Sequence, residues 1–148
     1  MEDLHPSCCM HASCVDVNGK GLLITGPSGS GKSTLALQMM ALGAVLVADD
    51  KVNVARQNDM LIATAPTVLS GVIEARGVGL LEADTVSESR IVATVDLSEL
   101  ETERLPHQLV DKILGLQIRK LNRVDGPHFA PALLQFLKNG ARDADTAV

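Results

Sequence analysis

Leu22-Leu23-Ile24-Thr25-Gly26-Pro27-Ser28-Gly29-Ser30-Gly31-Lys32-Ser33 is the stretch that decides the fold of this chain. A short apolar run, which suits a buried strand, enters a complete G-x-x-x-x-G-K-[ST] spacing from Gly26 to Ser33. Leu35, Ala36, Met39, Met40 and Leu42 then follow at helical spacing, so the spacing predicts strand, glycine-rich loop, then a helix over 33–42. By chance, four such fixed positions coincide in under roughly 1% of chains this long. The glycines let the backbone wrap a phosphate and turn successive N–H groups toward it, and the helix N-terminus adds a favourable dipole. Lys32 adds a point charge for β- and γ-phosphates, and Ser33 offers a hydroxyl to Mg²⁺. The competing reading is a glycine-rich turn that binds nothing.

Upstream of this stretch, Ser13 to Asn18 alternates as a strand and Gly19-Lys20-Gly21 makes a turn. Downstream, Gly43 stands where a left-handed helix cap is expected. Ala44 to Ala48 reads as a second buried strand ending at Asp49-Asp50. Val52 and Val54 continue in alternation, Asn58-Asp59 is a hairpin turn, and Met60 to Thr64 returns as a strand. A loop-rich middle punctuated by Pro66, Gly71, Gly77 and Gly79 precedes a strand over 90–97. Gln108 to Val124 fits helix or strand equally, Ala130 to Lys138 reads as a helix stopped by Gly140, and 141–148 reads as a frayed tail. With no repeat or linker, residues 1–148 are expected to form one α/β domain.

Composition narrows the function. The 148 residues carry a net charge of −5, which argues against a duplex-binding protein with its basic field. Phe129 and Phe136 are the only aromatic residues, so no stacking platform for single-stranded nucleic acid is expected. The longest apolar stretch, Leu35 to Ala48, is short of a membrane span and is interrupted by Gln38 and Gly43. Glu2 and Asp3, and the lack of an apolar segment after them, argue against a signal peptide. The three cysteines are odd in number and clustered at Cys8, Cys9 and Cys14, so the expectation is free thiols in the cytoplasm.

A phosphate loop implies a nucleoside triphosphate and not the reaction. Phosphoryl transfer also needs a second metal ligand, a base and a charge clamp. Asp49-Asp50 is the candidate base, because ligand sites of open α/β sheets lie at the carboxyl ends of strands. Two adjacent carboxylates would repel, raising one pKa toward proton transfer. The plain alternative is a solvated turn.

At this point the chain resembles the catalytic domain of HPr kinase/phosphorylase, which phosphorylates a serine of the phosphocarrier HPr. The likeness runs from His11 to about Leu105. It rests on His11-Ala12-Ser13, Gly26 to Ser33, Leu46-Val47-Ala48-Asp49-Asp50, Ala65-Pro66 and Ile73-Glu74-Ala75-Arg76-Gly77-Val78-Gly79. The resemblance implies a P-loop kinase domain of the phosphoenolpyruvate carboxykinase-like type, a mixed β-sheet with flanking helices. It implies ATP held by Gly26, Pro27, Ser28, Gly29, Ser30, Gly31, Lys32, Ser33 and Thr34, and Mg²⁺ bound by Ser33 and Glu74. It implies Asp50 as the base for the target serine, Asp49 supporting that base or orienting a metal-bound water, and His11 as an active-site histidine. Arg104 would stand near the transferring group, and Arg76 would shape the protein-substrate end. HPr or a nitrogen-system paralogue would be the partner, and the family's assembly would be a hexamer.

The chain departs from the family pattern in places. It has no room for the separate N-terminal domain of the long form and looks like the short proteobacterial form. The stretch between Glu82 and Arg90 is short, and the Pro-Val-x-x-Gly-Arg-Asn-Leu-like segment after Leu105 is not recognisable, with Leu116 to Gly126 only a loose echo. Thr34 stands where many members carry an acidic residue. These departures bear on phosphorolysis, on the identity of the acceptor and on the hexamer. Two other readings remain. One is a P-loop small-metabolite kinase, with Arg119 and Arg123 at i, i+4 as a lid pair, and the other is an ATP sensor without turnover. Leu116 to Arg123 is also the expected patch for docking a protein acceptor. Finally, His5, Cys8, Cys9, His11 and Cys14 have spacings near those of zinc sites, but no second ligand pair follows to close such a site.

Overall fold

A computed structural model describes residues 6–142 of the protein. Eleven strands and two helices are formed by these residues, together with a single 3-10 turn at Thr67–Leu69. The phosphate-loop unit is β3 (Lys20–Thr25), the loop, and α1 (Lys32–Ala41). On one side of β3 runs β2 (Ser13–Val17), antiparallel to it, and beyond β2 lies β4 (Val45–Ala48). On its other side β3 pairs in parallel with the long β9 (Ser89–Leu100).

The far edge of β9 is shared. Its first residues pair antiparallel with β6 (Met60–Thr64), and Ala93 onward pairs in parallel with β11 (Leu116–Arg123). The sheet therefore forks at β9. One branch continues through β6 to β5 (Val52–Gln57) and β1 (Ser7–Met10), the other through β11 to β10 (Leu109–Ile113). A small separate hairpin, β7 (Val72–Ala75) and β8 (Gly79–Glu82), lies off the main sheet. α2 (Phe129–Asn139) packs with α1 on one face of the sheet. The result is a curled mixed sheet flanked by helices.

Alternation along β3 anchors the strand that leads into the loop on both faces of the sheet. Leu22 and Ile24 enter the cluster under the helices, whereas Leu23 enters a second cluster on the opposite face. All three are fully buried, each worth about 1.5–3 kcal/mol of transfer free energy. β2 is buried at every position, although it carries the polar Ser13 and Asp16. Its polar positions are paired inside: Asp16 accepts from Gly19 N–H at 3.0 Å and from the Ser89 hydroxyl.

The turns follow from local chemistry. The β2–β3 turn is Asn18-Gly19, one residue earlier than expected; both have positive φ, as a two-residue hairpin turn requires. Gly43 ends α1 as expected: its N–H donates to Met40 O and that of Ala44 to Met39 O, which is the Schellman pattern. α2 covers the predicted span and stops at Gly140, whose φ is +76°. The ambiguous stretch from Gln108 to Val124 is the β10–β11 hairpin, turning at Leu114-Gly115. The loop-rich middle contains β7 and β8, which the glycines had concealed. Residues 143–148 of the expected tail lie outside the described residues. Among those described, no helix is long and apolar enough to cross a membrane.

Candidate active site

The loop between β3 and α1 closes on itself. Ser30 N–H donates to Pro27 O at 3.1 Å, and Gly29 and Gly31 take left-handed φ values of +81° and +103°. Gly26 must be glycine for steric reasons as well: a Cβ there would stand 2.6 Å from Ser30 Oγ and 3.2 Å from Leu97 Cβ. α1 begins without any side-chain cap, so its first amides are left for another acceptor. Lys32 is buried at 7% exposure, and its Nζ donates to Gly26 O at 2.8 Å and Pro27 O at 3.1 Å. Ser30 Oγ is buried without a hydrogen-bond partner.

Opposite the loop stands the end of β4, where Asp49 and Asp50 take different partners. Asp49 is 7% exposed, and its Oδ1 accepts from both Ser13 Oγ and Ser33 Oγ at 2.7 Å. Its Oδ2 accepts from Glu74 N–H at 3.3 Å. Asp50 adopts φ +70°, uncommon for a residue with a Cβ, which turns its carboxylate outward. There His11 Nε2 lies 2.6 Å from its Oδ1. Between these side-chain contacts Ala12 N–H donates to Asp50 O at 3.1 Å. Three consecutive residues, His11-Ala12-Ser13, thus latch the Asp49-Asp50 turn. The two adjacent carboxylates diverge, one buried under hydroxyls and one exposed beside an imidazole.

A cavity of about 270 Å³ lies between these walls. Ser28, Gly29, Gly31, Lys32, Ser33 and Thr34 line the loop side; His11, Asp50, Glu74 and Arg76 line the other. Glu74 and Arg76 reach it because β7 alternates: Ile73 and Ala75 are buried, leaving the residues between and after them outward. Asp49, Gly26, Pro27 and Ser30 stand behind the lining. Arg104 is exposed in the connection between β9 and β10 and is not brought to the cavity. Ser13 is the residue of the site that the motif reading left without a role, although it belongs to a triplet already singled out.

Two alternatives weighed from the sequence, a zinc site and an arginine lid pair, are not formed among the described residues. Cys14 is fully buried in an apolar cluster, where burial and then the charge of Asp16 push its thiol far above the ordinary range, and no group of three potential metal ligands forms among the described residues. His11 is engaged by Asp50, and His5 lies outside the described residues. Arg119 and Arg123 lie on a strand, not on a lid helix. Arg119 stacks over the Phe136 ring at 5.6 Å, and Arg123 donates to Leu97 O at 3.1 Å and to Asp125 at 3.0 Å. β11 is paired on both edges, so the proposed docking patch over 116–123 is mostly half-buried structure.

Comparison with known proteins identifies the family and the fold. The family profile of the HPr Serine kinase C-terminal domain matches residues 2–122. The HPr kinase/phosphorylase of Bordetella avium is 38% identical over 131 residues, covering 80% of this chain and 42% of that protein. That of Limosilactobacillus reuteri is 44% identical over 87 residues, covering 58% and 27%. The chain thus spans less than half the length of these relatives. The Hpr(Ser) kinase/phosphatase from Coxiella burnetii shares the fold, with a TM-score of 0.77 at 23% identity over 89% of this chain and 95% of that one. By its sequence profile this chain belongs to the HPr serine kinase C-terminal domain family.

Proposed function

We propose that this chain is a catalytic P-loop domain of the phosphoenolpyruvate carboxykinase-like type, acting as an ATP- and magnesium-dependent protein serine kinase. Its acceptor is a seryl residue of HPr or a nitrogen-system paralogue, in the cytoplasm, in control of the phosphotransferase system and carbon metabolism. The observation that carries this reading is the phosphate loop facing a His11-bound Asp50 across one cavity.

The residues fit a triphosphate and its metal. The loop has no room for a Cβ at Gly26, a buried Ser30 hydroxyl without a partner, and an uncapped helix N-terminus beyond it. Ser33 and Glu74 border the same cavity and would hold magnesium. Magnesium, when bound, neutralises charge on the β- and γ-oxygens. Lys32 would exchange its two carbonyl partners for phosphate oxygens. The acceptor hydroxyl gives its proton to the Asp50 carboxylate. Its oxygen bonds to the γ-phosphorus as the bond to the β–γ bridging oxygen breaks, and ADP leaves. His11 orients Asp50 for that transfer, and Arg76 shapes the acceptor end. Arg104 has no part in the step as drawn. In phosphorolysis an oxygen of inorganic phosphate would bond to the phosphorus of phosphoserine as the serine O–P bond breaks, the serine oxygen would take the proton back from Asp50, and pyrophosphate would leave.

The test is intact-mass detection of phosphate transfer from Mg-ATP to purified HPr. Transfer should need both Lys32 and Asp50: Lys32→Ala should abolish it, and Asp50→Asn should slow it about 10²- to 10⁴-fold, as loss of a general base does. No transfer by a chain that binds ATP would overturn the reading.

A further inference from the structure

The Asp49 carboxylate is held in an unusual way. Ser13 and Ser33, from different elements, donate to the same oxygen at the same 2.7 Å distance. A carboxylate oxygen offers two lone pairs, so two hydroxyls fill Oδ1. With its proton committed to Asp49, Ser33 is left with oxygen lone pairs to present to the cavity it lines. If only one hydroxyl reached Oδ1, the carboxylate could turn about its side chain and accept from Ser33 in other directions. Ser13 removes that freedom at Oδ1, in addition to the longer bond that Oδ2 accepts from Glu74 N–H at 3.3 Å. It is fully buried, sits opposite Ile24 in the β2–β3 ladder, and is followed along β2 by the fully buried Cys14. Its hydroxyl is therefore a fixed point, whereas Asp49 lies just past the end of β4.

We infer that Ser13 is a positioning residue for the metal end of this site, pinning Asp49 so that Ser33 presents its lone pairs to the magnesium of a bound Mg-nucleotide. The inference rests on the Mg-ATP reading above. A serine that serves only the fold would stabilise the protein without altering how magnesium and nucleotide bind together.

Calorimetric titration of the whole chain with a non-hydrolysable ATP analogue, with and without Mg²⁺, separates these roles. The variants are Ser13→Ala and the nearly isosteric pair Ser13→Thr and Ser13→Val, each with its melting temperature recorded. Ser13→Ala and Ser13→Val should lower the magnesium-dependent gain in affinity about tenfold, the low end for partners behind a metal ligand. Ser13→Thr should retain that gain, and the magnesium-free affinity should be the same throughout. Because Thr and Val differ by a hydroxyl and not by shape, their comparison holds even if the alanine variant folds poorly. Equal gains in the Thr and Val variants would overturn the inference, as would magnesium-free affinity falling in step with the magnesium-bound value. Absence of magnesium-dependent binding in the unmodified chain would instead overturn the kinase reading, and this inference with it.

Discussion

Replacing Gly26 by alanine tests whether the phosphate loop is built as its geometry demands. Gly26 has φ +146°, a region almost reserved for glycine, and holding another residue there costs about 1–3 kcal/mol. The new methyl would also stand 2.6 Å from Ser30 Oγ and 3.2 Å from Leu97 Cβ. The serine can rotate away cheaply, but Leu97 Cβ is fixed to a central strand and must shift with it, adding about 1 kcal/mol as mild overpacking does. The expected total is about 2–4 kcal/mol, which for a chain of this size lowers Tm by roughly 5–15 °C. Gly29→Ala is the internal comparison. Its φ is +81° and nothing lies within 4 Å of the added methyl, so only the backbone cost of about 1–2 kcal/mol applies. Urea unfolding of the two variants and the parent protein measures the difference. Equal losses, or a Gly26→Ala protein within about 0.5 kcal/mol of the parent, would show that the loop does not rest on Leu97 and would refute the packing argument.

Two further outcomes are expected. Burial opposes ionisation of Asp96, but hydrogen bonds from Ser98 Oγ and N–H, and the charge of Lys120, outweigh it and hold the carboxyl below its ordinary 3.8. A folded value below the unfolded one gives stability that is complete above the unfolded value and lost as pH falls through the folded one. Asp96→Asn should therefore be less stable than the parent at neutral pH, with the gap closing under acid; a gap independent of pH in urea titrations would contradict this. Among the thiols, Cys9 is exposed, Cys8 is half-buried with its pKa raised by burial and by Cys9, and Cys14 is buried. A thiol reagent followed by mass spectrometry should label Cys9 first, Cys8 more slowly and Cys14 only after unfolding; labelling of folded Cys14 at the rate of Cys9 would contradict the burial.

Local chemistry and periodicity were enough to place the strand–loop–helix unit, the Gly43 cap, the Asn58-Asp59 turn and α2, because each depends on residues a few positions apart. The stretch over 108–124 was ambiguous because its hairpin turns on Leu114, a residue with no turn preference. Its φ of +49° is tolerated where Arg56 donates to its carbonyl at 3.0 Å from a distant strand. β7 and β8 were hidden by the glycines around them, and it is the antiparallel ladder from Val72–Glu82 to Ala75–Gly79, with Ile73 and Ala75 buried against the body of the protein, that makes this segment a hairpin.

The same division holds for the site. From the chain alone came the phosphate loop and the tandem Asp49-Asp50, because a backbone cradle and the residue types that handle phosphate are written in contiguous residues. Which carboxylate turns inward, that Ser13 and Ser33 share one of its oxygens, and that Arg104 stays outside the cavity were decided only by the tertiary structure. Those facts depend on how β2, β4, α1 and β7 meet in space, and such meetings are set by the packing of buried side chains far apart along the chain.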